Sequence, residues 1–253
     1  MAVENIIAIA ILSGKGGVGK SVISLNLALG LGKLGIKTLL FDAGGGNLVY
    51  LTNNMHPEME PNKSAILPIA DNVDLYTSIV ADSNSLFDDG DIERLLSEIV
   101  EVTPEFQCIL FDCFTGSGPV PYTLAGLSEL SLMVTTPDPT AVAGTYLLAR
   151  SLYQDGLATR SGLLFNMVES ADEAASLKTR FDILTGKFLS HQFEQAGYIR
   201  NDSLLAESVL EQQPLLSWRP ESRSGLDFLN LSKKMRLEDR LQFETDKIKS
   251  QQD

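Results

Sequence analysis

The residues whose types and spacing most clearly predict chemistry form a glycine-rich run near the start of the chain: Gly14-Lys15-Gly16-Gly17-Val18-Gly19-Lys20-Ser21. The spacing from its first glycine to the closing Gly-Lys-Ser is that of a phosphate-binding loop. Glycine backbone turns its N–H groups toward an anion without interference from Cβ atoms. The spacing therefore predicts that Lys20 reaches the terminal phosphates of a bound nucleotide and that the Ser21 hydroxyl ligates Mg²⁺.

The flanking segments distinguish a phosphate site from a glycine-rich turn without chemistry. Residues 6–12 are all apolar and predict a buried strand, and residues 22–34 are largely apolar and predict a helix. A strand before the loop and a helix after it are the context that the motif requires. The N-terminus of that helix would add its partial positive charge to the site.

Short apolar runs alternate with helical periods along the chain, which predicts an α/β fold: a doubly wound, mostly parallel sheet with helices on both faces. Further strands are expected at 38–41, 73–78, 107–111, 130–135, 163–165 and 198–199, and further helices at 91–100 and 140–154. Residues 170–173 form a capping-box pattern. Residues 47–71 receive no assignment. We expect one P-loop domain over residues 1–232 and a charged helical tail over residues 233–253.

The composition limits the classes of function. The chain has 20 basic and 33 acidic residues and a net charge of −13, which disfavours DNA binding because that depends on basic patches. No apolar run reaches the ~20 residues that span a bilayer, and no basic segment leads the first apolar run as in a signal peptide. We therefore expect a cytoplasmic protein. Cys108 and Cys113 lie at an apolar strand, so we interpret them as small buried hydrophobes rather than metal ligands.

Residues 13–21 resemble the deviant Walker A loop of the MinD/ParA ATPases, which carries an additional lysine early in the loop, here Lys15. The resemblance extends from about Ile7 to Leu229. It implies that the loop binds ATP with Mg²⁺ and that two subunits sandwich the ATP face to face. Lys15 would then reach the phosphates of the partner subunit.

The resemblance also assigns polar residues at the ends of three predicted strands. Asp42 would act in the metal and phosphate site together with Lys15 and Lys20. Asp112 ends a stretch similar to the Walker B strand and would hold the Mg²⁺ shell through water, although an acid at a strand end means little by itself. Asn166 would contact the adenine edge.

Four stretches refine the resemblance, and one residue departs from it. Residues 134–140 are similar to the family's Thr-Pro-Glu-Pro-Thr stretch. Residues 164–170, 188–189 and 212–215 are most similar to the FlhG/FleN type of regulators, which implies control of the number or placement of a flagellum-like structure. Arg200 stands where relatives tend to have proline, which puts in doubt the adenine contacts of the loop that ends at Asp202.

A second departure concerns hydrolysis. Family members usually carry Asp-x-Asp after the second strand, and the second acid positions the attacking water. Here Asp42 is followed at that spacing by Gly44. Because phosphoryl transfer depends on positioning, the loss is expected to slow hydrolysis about 10²- to 10⁴-fold without affecting binding. Asp138, or a residue of a partner, is a candidate substitute for the missing acid.

Two functions remain open from the sequence: an ATP-dependent dimerisation switch timed by slow hydrolysis, and a non-hydrolysing adaptor that acts through an unidentified partner protein. A metal-cluster carrier would need cysteines that a dimer can share, and a DNA-partitioning ATPase would need a basic surface, so both are disfavoured. In the tail, Glu244 interrupts the apolar stripe of Leu237, Leu241 and Ile248. We expect a surface helix or partner-binding segment there, with peripheral membrane contact as the alternative.

Overall fold

The computed structural model describes residues 6–44, 47–53, 64–77, 89–116 and 118–235. Within these ranges the chain forms eight strands: β1 (Ile7–Leu12), β2 (Thr38–Ala43), β3 (Ala65–Ala70), β4 (Val73–Thr77), β5 (Cys108–Cys113), β6 (Leu130–Thr135), β7 (Ser161–Val168) and β8 (Glu194–Arg200). They join in one sheet in the order β3-β4-β2-β5-β1-β6-β7-β8. Neighbouring strands run parallel except for β3, which pairs with β4 in the antiparallel direction.

Helices cover both faces of this sheet. In the described ranges they are α1 (Lys20–Lys33), α2 (Asn47–Leu51), α3 (Asp89–Val102), α4 (Pro119–Leu127), α5 (Pro139–Gln154), α6 (Ala171–Leu189), α7 (Ser203–Leu210), α8 (Leu215–Trp218) and α9 (Arg223–Lys234). One apolar core packs α1, α8 and α9 against the sheet, and a second packs α3 to α6 against the opposite face. The predicted doubly wound α/β fold is therefore confirmed.

The central strands are buried along their whole length, which is why uninterrupted apolar runs predicted them correctly. The segment without an assignment, residues 47–71, contains the short helix α2 and the edge strand β3. In β3 partly buried and exposed residues alternate, and the register against β4 shifts between Pro68 and Ala70. Proline is tolerated in edge strands but weakens their sequence signal. Helix α4, which begins at Pro119, was not predicted either.

The capping-box pattern is realised with one change. The Ser170 hydroxyl accepts a hydrogen bond from the Glu173 amide at 3.2 Å and caps α6. The Glu173 carboxylate accepts from the amide of Glu169 at 2.6 Å, one residue before the position that the pattern predicts. The helix still begins where the sequence indicates.

Three further expectations concern the chain outside the site. Cys108 and Cys113 are both buried in β5, as predicted. Among the helices that the structure describes, none has the length and apolar character needed to cross a membrane. The tail from residue 236 onward lies outside the described residues, so its helical and partner-binding character stays a prediction.

Candidate functional site

The candidate site lies where the carboxyl ends of the central parallel strands meet, the usual ligand position in open α/β sheets. The glycine loop connects β1 to α1, Asp42 and Asp112 lie side by side in β2 and β5, and Asn166 lies in β7. Hydrogen bonds described below join the glycine loop and α1 to the β5 and β7 ends, and Asp42 lies beside Asp112 in the strand register. The structure therefore brings the residues predicted from the sequence together at one edge.

The loop backbone combines tight packing at its start with an open middle. A Cβ atom on Gly14 would lie 2.0 Å from the backbone of Gly144 in α5, so only glycine fits there. Gly17 and Gly19 have φ angles of +78° and +89°, in the left-handed region that favours glycine. Among the described residues, nothing lies within 4 Å of a Cβ atom built on Gly16 or Gly17. The loop is anchored on α5 and open on its exposed side.

Helix α1 begins directly after the loop. Its N-cap residue, Gly19, supplies no side-chain cap. The first N–H groups of a helix lack intrahelical partners and, together with the helix dipole, favour an anion. An exposed glycine loop that leads into an uncapped helix is the geometry of a phosphate cradle.

Lys20 is held toward β5 by a residue that the sequence analysis missed. Its Nζ donates to the Thr115 hydroxyl at 2.9 Å, and Thr115 lies just beyond the end of β5. This contact keeps the lysine at the edge that also carries Asp112. The sequence feature that could have identified Thr115 is its position, a hydroxyl residue three places after Asp112.

Asp112 is a buried carboxyl at the centre of the site. It is 1% exposed and accepts a hydrogen bond from the Ser24 hydroxyl at 3.0 Å. Burial raises the pKa of Asp112 to about 6, and the Asp42 carboxylate adds to the shift, whereas the Ser21 and Ser24 hydroxyls and the charge of Lys20 oppose it. Two adjacent carboxyl groups and a serine hydroxyl are hard oxygen donors that suit Mg²⁺. The residues at this position therefore fit the predicted metal.

Asp42 bonds to the backbone of the loop that follows it. Its carboxylate accepts from the amide of Gly44 at 3.0 Å and from the amide of Leu48 at 3.2 Å. A Cβ atom on Gly44 would lie 3.1 Å from the carbonyl oxygen of Asp112 and 3.3 Å from its Oδ2. The position of the missing acid thus packs closely against Asp112. Gly45 and Gly46 lie outside the described residues.

The additional lysine, Lys15, contacts the start of α5, whereas Lys20 contacts Thr115. Lys15 Nζ donates to the Asp138 carboxylate at 3.1 Å and to the Thr140 hydroxyl at 2.5 Å. Hydrogen bonds from Thr140, from the Ala141 amide and from Lys15 lower the pKa of Asp138. The carboxylate proposed as a substitute for the missing acid is therefore engaged with Lys15 and the helix N-terminus, and its role in hydrolysis stays a prediction.

On the β7 side, Asn166 lies beneath the glycine loop. Its Nδ2 donates to the carbonyl oxygen of Val18 at 2.8 Å, while its buried Oδ1 has no hydrogen-bond partner among the described residues. An amide oxygen without a partner can accept a hydrogen bond from an amino group such as that of adenine. The next residue, Met167, has a φ angle of +58° and lies where the β7–β8 register shifts, a local distortion of the kind found beside functional sites.

Arg200, the departure from the family pattern, is part of a hydrogen-bond network next to this region. Its backbone N–H and its guanidinium Nε and Nη2 donate to the Asp227 carboxylate of α9 at 2.7–3.1 Å. Asp202 caps α7 through the Leu204 amide and also accepts from the amide and hydroxyl of Ser224. The loop expected beside the adenine is thus bound to α9 at two points: Arg200, which stands where relatives tend to have proline, pairs with Asp227, and Asp202 accepts from Ser224.

Comparison with known proteins is consistent with this geometry. Residues 9–215 match the family model of the CobQ/CobB/MinD/ParA nucleotide binding domain. The antiactivator FleN of Pseudomonas aeruginosa is 25% identical over 90% of this chain and 85% of its own length. The flagellum site-determining protein YlxH of Helicobacter pylori is 31% identical over 84% and 76%, respectively. The cell division ATPase MinD of Pyrococcus furiosus superimposes with a TM-score of 0.69 at 23% identity, over 90% of this chain and 98% of that one.

Proposed function

Because the chain belongs to the CobQ/CobB/MinD/ParA family of nucleotide-binding domains, we propose that it is an ATP-controlled dimerisation switch with slow or absent hydrolysis of its own. The resemblance to FlhG/FleN-type regulators and the name of the relative YlxH, a flagellum site-determining protein, support a role in setting the number or placement of a flagellum-like structure. Mg²⁺ accompanies the ATP.

The nucleotide is bound by backbone and side chains of the glycine loop. The N–H groups from Gly14 to Gly19 and of the first turn of α1 surround the β- and γ-phosphates, and Lys20 neutralises their charge. Ser21, Asp42 and Asp112 would hold the Mg²⁺. Bound Mg²⁺ would supply charge neutralisation between the phosphates. Asn166 accepts a hydrogen bond from the adenine amino group, and Lys15 contacts the phosphates held by the second subunit.

Slow hydrolysis is the distinguishing part of the proposal, and Gly44 is the observation that carries it. The acid at this position in relatives aligns water for attack on the γ-phosphate, whereas Gly44 has no side chain and packs against Asp112. A water that no group aligns reacts slowly. Binding is preserved because the loop, Lys20 and Ser21 are complete, so the ATP state is expected to be long-lived.

The same observation favours a second candidate function, a non-hydrolysing adaptor in which ATP is a structural ligand and partner binding is the output. A metal-cluster carrier is disfavoured because both cysteines are buried within β5, where a dimer has no access to them. The switch and the adaptor differ only in whether bound ATP is ever converted to ADP.

Single-turnover hydrolysis with excess protein, trace ATP and Mg²⁺ separates the two candidates. Light scattering after size-exclusion chromatography measures the dimer in parallel. ADP that forms over hours within an ATP-dependent dimer supports the switch, and ATP that stays intact in the dimer supports the adaptor. ADP formation within minutes in the isolated protein would contradict both. The Lys20→Ala variant, which should bind no nucleotide, is the control.

A further inference from the structure

The ends of β7 and β8 form the side of the candidate site that carries Asn166, and an extra residue in β7 shapes it. In the register of the two strands Asn166 lies opposite Ile199 and Val168 lies opposite Arg200, so Met167 is the additional residue of a β-bulge. The amide oxygen of Asn166 is buried and has no hydrogen-bond partner among the described residues. The amide proposed to meet the base therefore lies two residues from the position that pairs with Arg200.

Arg200 binds the end of β8 to helix α9. Its backbone N–H donates to Oδ2 of Asp227 at 2.9 Å, its Nε donates to the same oxygen at 2.8 Å, and its Nη2 donates to Oδ1 at 2.7 Å. The Asp227 side chain is 5% exposed and that of Arg200 is 29% exposed. The pair thus uses both carboxylate oxygens, an arrangement with high geometric specificity. A proline, which relatives tend to have at this position, would supply neither the N–H nor the guanidinium.

Further hydrogen bonds connect this pair to the loop that follows β7. Arg200 Nη2 donates to the carbonyl oxygen of Arg223 at 3.2 Å, and the Arg223 guanidinium donates to the carbonyl oxygen of Glu169. The Asn201 side chain donates to the Glu169 carboxylate at 2.9 Å, and its backbone N–H donates to the carbonyl oxygen of Val168 at 2.7 Å. The two strand ends beside the bulge are therefore bound to each other and to α9.

From these contacts we infer that Arg200 is a positioning residue for the base of the nucleotide: its pair with Asp227 holds the segment beside Asn166 in place before the nucleotide binds. The inference rests on the proposed nucleotide binding and on the proposed contact of Asn166 with the base. A site that is ordered in advance loses less conformational freedom when its ligand binds. Loss of one partner also leaves a partly or largely buried charge without its counterion, which favours a rearrangement of this segment.

The effect should be confined to the base, because the phosphates are bound at a different strand. The glycine loop follows β1, and β6 and β7 separate β1 from β8, the strand that ends at Arg200. ADP and inorganic pyrophosphate share a diphosphate and differ by the nucleoside. Disruption of the pair is expected to weaken ADP binding roughly 5- to 100-fold, the range for the ordering of two further side chains. Pyrophosphate binding should not change.

Isothermal titration calorimetry with Mg²⁺ and either ADP or pyrophosphate tests this inference, and ADP avoids the dimer that is proposed for the ATP state. Two variants remove the pair from opposite sides: Arg200→Gln, and Asp227→Asn, which keeps the shape of the side chain. The control is Arg180→Gln, which makes the same charge change at an exposed position of α6. The double variant Arg200→Gln/Asp227→Asn shows whether the two residues act as a unit, because the effects of paired residues do not add.

The expected result is weaker ADP binding and unchanged pyrophosphate binding in both single variants, with no further loss in the double variant and normal binding of both ligands in Arg180→Gln. Unchanged ADP affinity in Arg200→Gln and Asp227→Asn would overturn the inference and leave the proposed function intact. An equal loss for ADP and pyrophosphate would also overturn it, since the pair would then support the whole site rather than the base.

The wild-type protein separates these failures from a failure of the proposed function. If it binds ADP no more tightly than pyrophosphate, the base adds nothing to the affinity, and both the Asn166 contact and the inference are wrong while the phosphate site stands. If it binds neither ligand, the proposed nucleotide binding itself is wrong.

Discussion

The ends of β2 and β5 lie next to each other and both present an aspartate, yet the two carboxyl groups have different partners. Asp112 of β5 faces the glycine loop and helix α1, where it meets the Ser24 hydroxyl, and Thr115 just beyond it holds Lys20. Asp42 of β2 bonds to the backbone of its own following loop. The β5 end therefore contacts the glycine loop and α1, and the β2 end contacts the segment that carries the missing acid.

This contrast predicts that binding and hydrolysis can be changed separately. Changes near β5 should act on nucleotide affinity or on the stability of the nucleotide-free chain. Changes near β2 should act on the rate of hydrolysis, because the position of the missing acid, Gly44, lies there. The distinction would be wrong if a variant near β5 changed only the rate of hydrolysis, or if a variant near β2 changed only the nucleotide affinity.

The largest effect is expected from Lys20→Ala. The variant removes the side-chain cation aimed at the phosphates, and charge-assisted contacts to phosphate are the strongest that such a site makes. ATP affinity should fall at least about 100-fold, equivalent to ~3 kcal/mol. Isothermal titration calorimetry measures the affinity. Lys33→Ala, at the opposite end of the same helix, is the control and should bind ATP normally. Unchanged affinity in Lys20→Ala would refute the phosphate site.

The next effect concerns the β2 end, where Gly44→Asp restores the missing acid. We expect the single-turnover rate of hydrolysis to rise about 10- to 1,000-fold, which is somewhat below the full contribution of a positioned acid. The gain is reduced because a Cβ atom at this position lies 3.1–3.4 Å from backbone and side-chain atoms of Asp112 and Cys113, so the new side chain is crowded. Gly44→Ala introduces the same Cβ atom without a carboxylate and is the matched control. Equal rates in the two variants would show that Gly44 is not what limits hydrolysis.

A third effect concerns stability and pH. The folded pKa of Asp112, about 6, lies above its ordinary value of 3.8, so the folded chain binds this proton more tightly than the unfolded chain. The resulting stabilisation is fully present below pH 3.8 and is lost as the pH rises through about 6. Asp112→Asn should therefore raise the free energy of unfolding of the nucleotide-free protein by about 1–3 kcal/mol at neutral pH.

The pH dependence checks the cause of that effect. Urea unfolding of wild type and Asp112→Asn from pH 4 to pH 8, without nucleotide or Mg²⁺, should show a difference that shrinks toward zero at the acidic end. Asp155→Asn, with an exposed aspartate, should follow the wild type throughout. A difference between Asp112→Asn and wild type that is independent of pH would point to packing rather than to the buried charge.

The sequence predicted those parts of the molecule that depend on local patterns. The central buried strands are apolar runs and the phosphate-loop motif is contiguous, so both were identified from the sequence. The strands β7 (Ser161–Val168) and β8 (Glu194–Arg200) were predicted only over residues 163–165 and 198–199. The edge strand β3 and the Lys15–Asp138 contact were missed for a common reason. The strand depends on pairing with β4, and the contact joins residues 123 positions apart, so neither leaves a local signal. The clustering of Thr115 with Lys20 is likewise a product of the fold.

The smallest effect is expected from Thr115, whose hydroxyl holds Lys20 at the β5 end. Thr115→Val removes the hydroxyl that accepts from Lys20 Nζ at 2.9 Å, and loss of an exposed hydrogen bond of this kind is worth about 0.5–1.5 kcal/mol, or roughly 2- to 10-fold in ATP affinity. Thr115→Ser keeps the hydroxyl and should bind ATP as the wild type does. If both variants bind ATP normally, Lys20 needs no support from Thr115. Asp112 would then be the one residue at the β5 end that is proposed to act in nucleotide binding. If Thr115→Val instead slows hydrolysis at unchanged affinity, the division between the two strand ends is wrong.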